Sequence, residues 1–160
     1  MTARFATSNN DEALDLVQDA MLDFVKRYTG RPAGEWYVLF YRILQSRITD
    51  WYRRASVRNR FRHWFGADDN DEGEDPLNNI ADPAAPGPAE MMDRRCMAEA
   101  LEKAVRRLPL RQRQAFLLRA WEGFDVAQTA SAMGCTEGSV KTHYSRAVHT
   151  LRTYLEEYRP

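Results

Sequence analysis

The sequence predicts an all-α chain of two small helical modules joined by a flexible acidic linker. Three observations carry this. Apolar residues recur at helical spacing in both outer parts of the chain, and no stretch alternates as a strand does. Charge is partitioned although the formal net charge is zero. Eleven Lys/Arg stand against seven Asp/Glu over residues 1–65, none against nine over 66–93, and twelve against seven over 94–160. Breakers gather in the middle: "GADDNDEGEDPLNNIADPAAPGPAE" (66–90) holds almost no large apolar side chain and cannot offset the entropy of ordering. Two basic blocks tied by an acidic connector point to two modules, each facing a polyanion.

The 160 residues suit one ordinary domain or two small ones. Ser8, Asn9 or Asn10 can cap a first helix with an acidic first turn, in which Leu14, Val17, Met21, Phe24, Val25 and Tyr28 recur at helical spacing. "TGRPAG" (29–34) breaks it. A longer helix follows from Glu35, with Trp36, Leu39, Phe40, Ile43, Ile48 and Trp51 as its apolar face and Arg42, Arg53, Arg54 and Arg58 mostly off it. Beyond the linker a helix starts near Met91 and runs through Ala100, Leu101, Ala104 and Val105 to Leu108. Pro109 fits the start of the next, which carries Ala115, Phe116, Leu118 and Trp121, and two further helices follow.

Several function classes are excluded. Cys96 and Cys135 are isolated, so neither a zinc site nor a disulfide framework is supported. Asp68, Asn70, Glu72 and Gly73 partly match a calcium loop, but Asn79 stands where the bidentate Glu is needed. No metal or cofactor is expected. There is no phosphate loop or nucleophile motif, and His63, His143 and His149 lack evident partners, which argues against an enzyme. The chain opens with no leader, and apolar runs such as "WYVLFY" (36–41) are too short to span a bilayer, so a cytoplasmic protein with no membrane partner is expected.

The most specific stretch is "DVAQTASAMGCTEGSVKTHYSRAVHTLR" (125–152). Asp125 can cap a short helix ending at Met133, Gly134 can take the left-handed turn, and Thr136 can cap the next helix. Small Ala130, then Gly134, then apolar Val140 is the spacing of a helix-turn-helix. Its second helix would offer Lys141, Thr142, Ser145 and Arg146 on one exposed face, where basic groups meet phosphates or guanine edges and hydroxyls meet bases or backbone. A plain helical hairpin with a solvated polar face is the alternative.

Two features of the first block need partners. "RITDWYRRASVRNRFRHWF" (47–65) holds six arginines and five aromatic rings, a mixture suited to a partly melted strand, since rings stack on bases while arginines track phosphates. Several of those rings also have the spacing of a core face. Asp15, Asp19 and Asp23, four apart, repel within their helix; they form a solvated face or a docking stripe for a basic partner.

The last block, "LPLRQRQAFLLRAWEGFDVAQTASAMGCTEGSVKTHYSRAVHTLR", resembles region four of bacterial sigma factors, which reads the promoter's −35 element. "DEALDLVQDAMLDF" resembles the core-binding part of region two, and "EWYVLFYRILQSRITDWYRR" the part that opens and reads the −10 element. The order resembles the extracytoplasmic-function (ECF) subgroup: a region-two-like module over 1–65, an acidic linker over 66–90 and a region-four-like module over 91–160. In that subgroup a further helix opens region two; only "MTARFATSNN" stands there, so that helix reads as truncated.

The resemblance implies a non-enzymatic, dissociable polymerase subunit that brings specificity and strand opening. It implies that Asp15, Leu16, Gln18 and Asp19 bind the clamp helices of RNA polymerase's largest subunit, with the flap as a second contact. Arg31, Arg42, Ser46, Arg53 and Arg54 fall to −10 recognition and melting, with a flipped base captured near the 29–34 loop and Ser46. Thr136, Ser139, Lys141, Thr142, Ser145 and Arg146 fall to the −35 element. An anti-sigma protein is a further partner the resemblance allows. "EGSVKTHYSRAVHTL" also resembles the output helix-turn-helix of response regulators, which bind duplex DNA without joining polymerase; the basic-aromatic first block argues against that reading.

Overall fold

A computed structural model describes residues 2–7, 9–64 and 88–156, with side chains over 2–7, 9–57 and 96–156. The acidic stretch up to Gly87 and the partial calcium loop lie outside the described residues, as do the side chains of Phe61, His63, Trp64 and Phe65. The described residues contain helices and no strand.

Helix α1 (Thr2–Ala6) is short, and α2 (Asn10–Tyr28) follows it. Of the three candidate caps, Asn9 performs the role: its Oδ1 accepts from the Asp11 amide at 2.9 Å. Asp11 and Glu12 in the first turn and Lys26 and Arg27 in the last suit the helix dipole. A 3-10 turn (Ala33–Glu35) leads into α3 (Trp36–Trp64). Beyond the acidic stretch come α4 (Pro88–Arg107), α5 (Leu110–Phe116), a π turn (Leu117–Trp121), α6 (Val126–Met133) and α7 (Glu137–Glu156).

The first core joins α1, α2 and α3 through Ala3, Ala6, Ala13, Leu16, Ala20, Ile43, Leu44 and Ile48, with Val17, Phe24, Phe40 and Trp51 packed around it. Small Ala13 and Ala20 let α3 approach closely. The side of α2 carrying Leu14, Met21 and Val25 faces out, at 59, 55 and 55 % exposure. Trp36, expected on the core face, is 41 % exposed. It is the first residue of α3, where its indole N–H donates to the Arg31 carbonyl at 2.7 Å and its ring meets the edge of Phe24.

The last four helices build two adjoining cores, one of Val105, Leu108, Leu117, Ala147 and Leu151, the other of Ala115, Leu118, Phe124, Ala130, Met133 and Val140. These do not stand apart from the first block. Phe5 of α1 enters the former, and Val38 and Tyr41 of α3 pack on the latter. Helix α3 is therefore gripped on two sides, which is why its apolar residues do not form one stripe.

Polar contacts stitch the same joint. The Tyr37 hydroxyl donates to Glu122 at 3.0 Å, and the Gln114 amide to the Thr49 hydroxyl at 3.3 Å. Arg113, 6 % exposed, donates to the carbonyls of Phe5 and Leu108 and to the Tyr52 hydroxyl. A buried guanidinium met by carbonyls and a phenol ties α1, α3 and α5 to one another, because losing any partner leaves it uncompensated.

Candidate nucleic-acid interface

The helix-turn-helix is fixed by local chemistry. Asp125 Oδ1 accepts from the Gln128 amide at 2.7 Å, while Gln128 Oε1 accepts from the Asp125 amide at 3.0 Å, a reciprocal cap at the start of α6. Gly134 ends α6 in the left-handed conformation (φ 61°, ψ 43°), and the Cys135 amide reaches back to the Ala130 carbonyl at 3.1 Å. Thr136 Oγ1 accepts from the Ser139 amide at 3.2 Å and opens α7. Ala130 and Val140, 8 and 1 % exposed, meet in the crossing.

Helix α7 then presents Lys141, Thr142, Ser145 and Arg146 together on the exposed side. Thr136 and Ser139 sit at its start, their hydroxyls 2.9 Å apart and engaged in the cap. The Thr142 hydroxyl donates back to the Gly138 carbonyl at 3.0 Å. His143, half-buried beside this face, has its pKa lowered by burial and then by Arg111 and Arg146.

Two side chains that sequence reasoning left aside set the height of α7. Tyr144 stacks on Phe116 with 6.4 Å between centroids, and the Arg119 guanidinium lies 5.6 Å from the Tyr144 ring. Arg119 is itself anchored to the Phe124 carbonyl at 2.6 Å. The π turn at 117–121 places Arg119 there, and local spacing gives no signal for such a bulge.

The −10 candidates divide between three places. Arg42, Ser46 and Arg53 line one cavity on the side of α3 that faces α6. Arg54 turns the other way, into a groove of about 680 Å³ with Glu12, Asp15 and Asp19, and Arg53 borders this groove as well as the cavity. Arg31 sits in the loop before α3, 3.9 Å from Glu35. The rings described in this block are engaged in packing: Tyr37 and Tyr41 each lie 5.2 Å from Phe124, and Tyr52 lies under Arg113.

On α2, Asp15, Gln18 and Asp19 are exposed. Leu16 is not: at 6 % exposure it belongs to the core, so it cannot offer a docking contact while α2 stays packed. The exposed apolar residues beside the acids are Leu14, Met21, Leu22 and Val25, which the sequence reading did not place in the docking set. Asp19 lies 3.6 Å from Arg47, and Asp23 is bonded to the same guanidinium, which holds the Asp23 carboxyl below its ordinary pKa.

The family described as "Sigma-70, region 4" matches residues 98–151, the stretch that contains this helix-turn-helix. The RNA polymerase sigma-E factor of Streptomyces antibioticus is 30 % identical over 145 residues, covering 91 % of this chain and 71 % of that protein. The chain belongs to the ECF sigma factors. The ECF sigma factor BldN of Streptomyces coelicolor is 30 % identical over 150 residues; this sigma factor spans 51 % of its length. The fold agrees with a solved one, the sigma factor RpoE of Bartonella quintana in complex with the anti-sigma factor NepR. The likeness has a TM-score of 0.59 at 26 % identity, over 99 % of this chain and 89 % of that one. No described helix is long and apolar enough to cross a membrane.

Proposed function

We propose that this chain binds core RNA polymerase and directs it to promoters as a dissociable, non-enzymatic subunit in the cytoplasm. The observation that carries the reading is α7, capped and braced so that Lys141, Thr142, Ser145 and Arg146 leave the fold on one side. That face enters the major groove at the −35 element. Arg31, Arg42, Ser46, Arg53 and Arg54 serve the −10 element. The end of α6 borders the side of α3 that carries Arg42 and Ser46, both exposed, so a strand opened along these residues runs beside α6. By likeness to the complexed RpoE, an anti-sigma protein is a further partner.

Core binding falls to the outer face of α2. Asp15, Gln18 and Asp19 supply charge and hydrogen bonds, and Leu14, Met21 and Val25 supply apolar area, an arrangement suited to basic, amphipathic helices of the polymerase clamp. The test is a pull-down of core polymerase by the tagged chain. Replacing Asp15 and Asp19 together with Lys should abolish retention through like-charge repulsion, with little change in helical content. Retention equal to the wild type would remove α2 from the interface.

A further inference from the structure

Where α3 crosses α5 and the end of α6, the fold leaves a cavity of about 240 Å³ that opens to solvent. Its lining carries three guanidinium groups, Arg42 and Arg53 from α3 and Arg111 from α5, against one carboxylate, Asp50. Arg53 lies 3.9 Å from Asp50, and Arg111 donates to the Met133 carbonyl at 3.0 Å, which neutralises the negative end of α6. Arg42 has no hydrogen-bond or ion-pair partner among the described residues. Gln45, also in the lining, is 2 % exposed, and neither its Nε2 nor its Oε1 is partnered among the described residues. A buried carboxamide left in this state destabilises the protein that contains it.

We propose that this cavity binds a small phosphate-bearing dianion, inorganic phosphate or a phosphomonoester, which ties α3 to α5 and α6. Positive groups exceed negative by two, the charge such an anion brings. Guanidinium forks match phosphate oxygens in geometry, and those oxygens accept from several donors at once. The buried Gln45 carboxamide gains an acceptor when its side chain turns toward the bound anion. Water could serve the carboxamide, but it leaves the excess charge unbalanced. The volume admits a phosphoryl group with a small substituent and excludes a double helix. Arg42, Ser46 and Arg53 are also −10 candidates, so a bound anion holds the modules together and competes with promoter phosphates. That consequence rests on the promoter reading, whereas anion binding itself does not.

The experiment is isothermal titration of the full chain with inorganic phosphate, and separately with a nucleoside 5′-monophosphate, at constant ionic strength held with chloride. One saturable site is expected, with the Gln45 side-chain amide resonances shifting in parallel. Arg42 is exposed and unpartnered, so Arg42→Ala leaves the fold intact; it should weaken binding roughly tenfold, the weight of one charge-assisted hydrogen bond. Tighter binding of the monophosphate identifies the phosphomonoester as the ligand, and equal or weaker binding identifies phosphate. Absence of a saturable site for both probes, or affinity unchanged in Arg42→Ala, overturns the proposal.

Discussion

Gly134 offers a quantitative test of how the recognition helix is aimed. Its φ of 61° is left-handed, and a Cβ added there would meet no atom within 4 Å. The cost of a side chain is therefore conformational and not steric. Left-handed backbone costs a residue other than glycine about 1–2 kcal/mol. Against this, Gly→Ala restricts the unfolded chain and returns about 0.4–1 kcal/mol. The net loss for Gly134→Ala is about 1 kcal/mol. With a urea slope of about 2 kcal/mol per molar, the midpoint should fall by about half a molar at unchanged slope. Gly134→Asn should lose less, since Asn tolerates this conformation. Gly134→Lys should lose no more than Ala, because the space is open. Urea unfolding of the full chain followed by circular dichroism reads all three. An Ala variant as stable as wild type, or a Lys variant several-fold worse than Ala, would refute the reasoning.

Other outcomes follow from single side chains. In a randomised −35 selection with holoenzyme, Arg146→Ala should relax specificity at one base pair and cost ~1–3 kcal/mol, as for a planar fork reading a guanine edge. Lys141→Ala should weaken all sequences alike and flatten the salt dependence by about one unit, as for a phosphate contact. His143 has a folded pKa below its ordinary 6.5, so the unfolded chain takes up the proton first. Stability should fall as pH drops below 6.5, and His143→Gln should remove that part of the slope in urea titrations. Asp23 has the opposite sense: held below its ordinary 3.8 by Arg47, it stabilises above that value and loses its contribution as pH falls further. Asp23→Asn should flatten the acid limb below 3.8.

The helix-turn-helix was legible because its determinants are local. Asp125, Gly134 and Thr136 act on their own backbone neighbours, and Ala130 and Val140 answer to a fixed crossing. The inner and outer sides of α2 were less so: helical spacing marks apolar positions but not which of two adjacent stripes is covered. The covered stripe is Ala13, Leu16 and Ala20, buried with Ile43, Leu44 and Ile48 of α3. The grip on α3 from both sides was not legible at all, since Val38 and Tyr41 reach residues far along the chain. Nor was the burial of Arg113, because a guanidinium reads as surface until its acceptors on α1, on α3 and at Leu108 between α4 and α5 are assembled. The π turn that seats Arg119 on Tyr144 leaves no periodic trace.

As an ECF sigma factor, this chain turns core polymerase into a promoter-specific enzyme. Reconstituted transcription tests it most directly: core polymerase, the full chain and a library of duplex templates randomised through both promoter elements, with transcripts sequenced from their 5′ ends. Initiation is expected only when the chain is present, from templates enriched in one −35 and one −10 sequence at fixed spacing. Loss of initiation is expected with Asp15 and Asp19 replaced by Lys. The same transcripts from core alone, or enrichment of duplex sites that the chain binds without entering the polymerase, would contradict it.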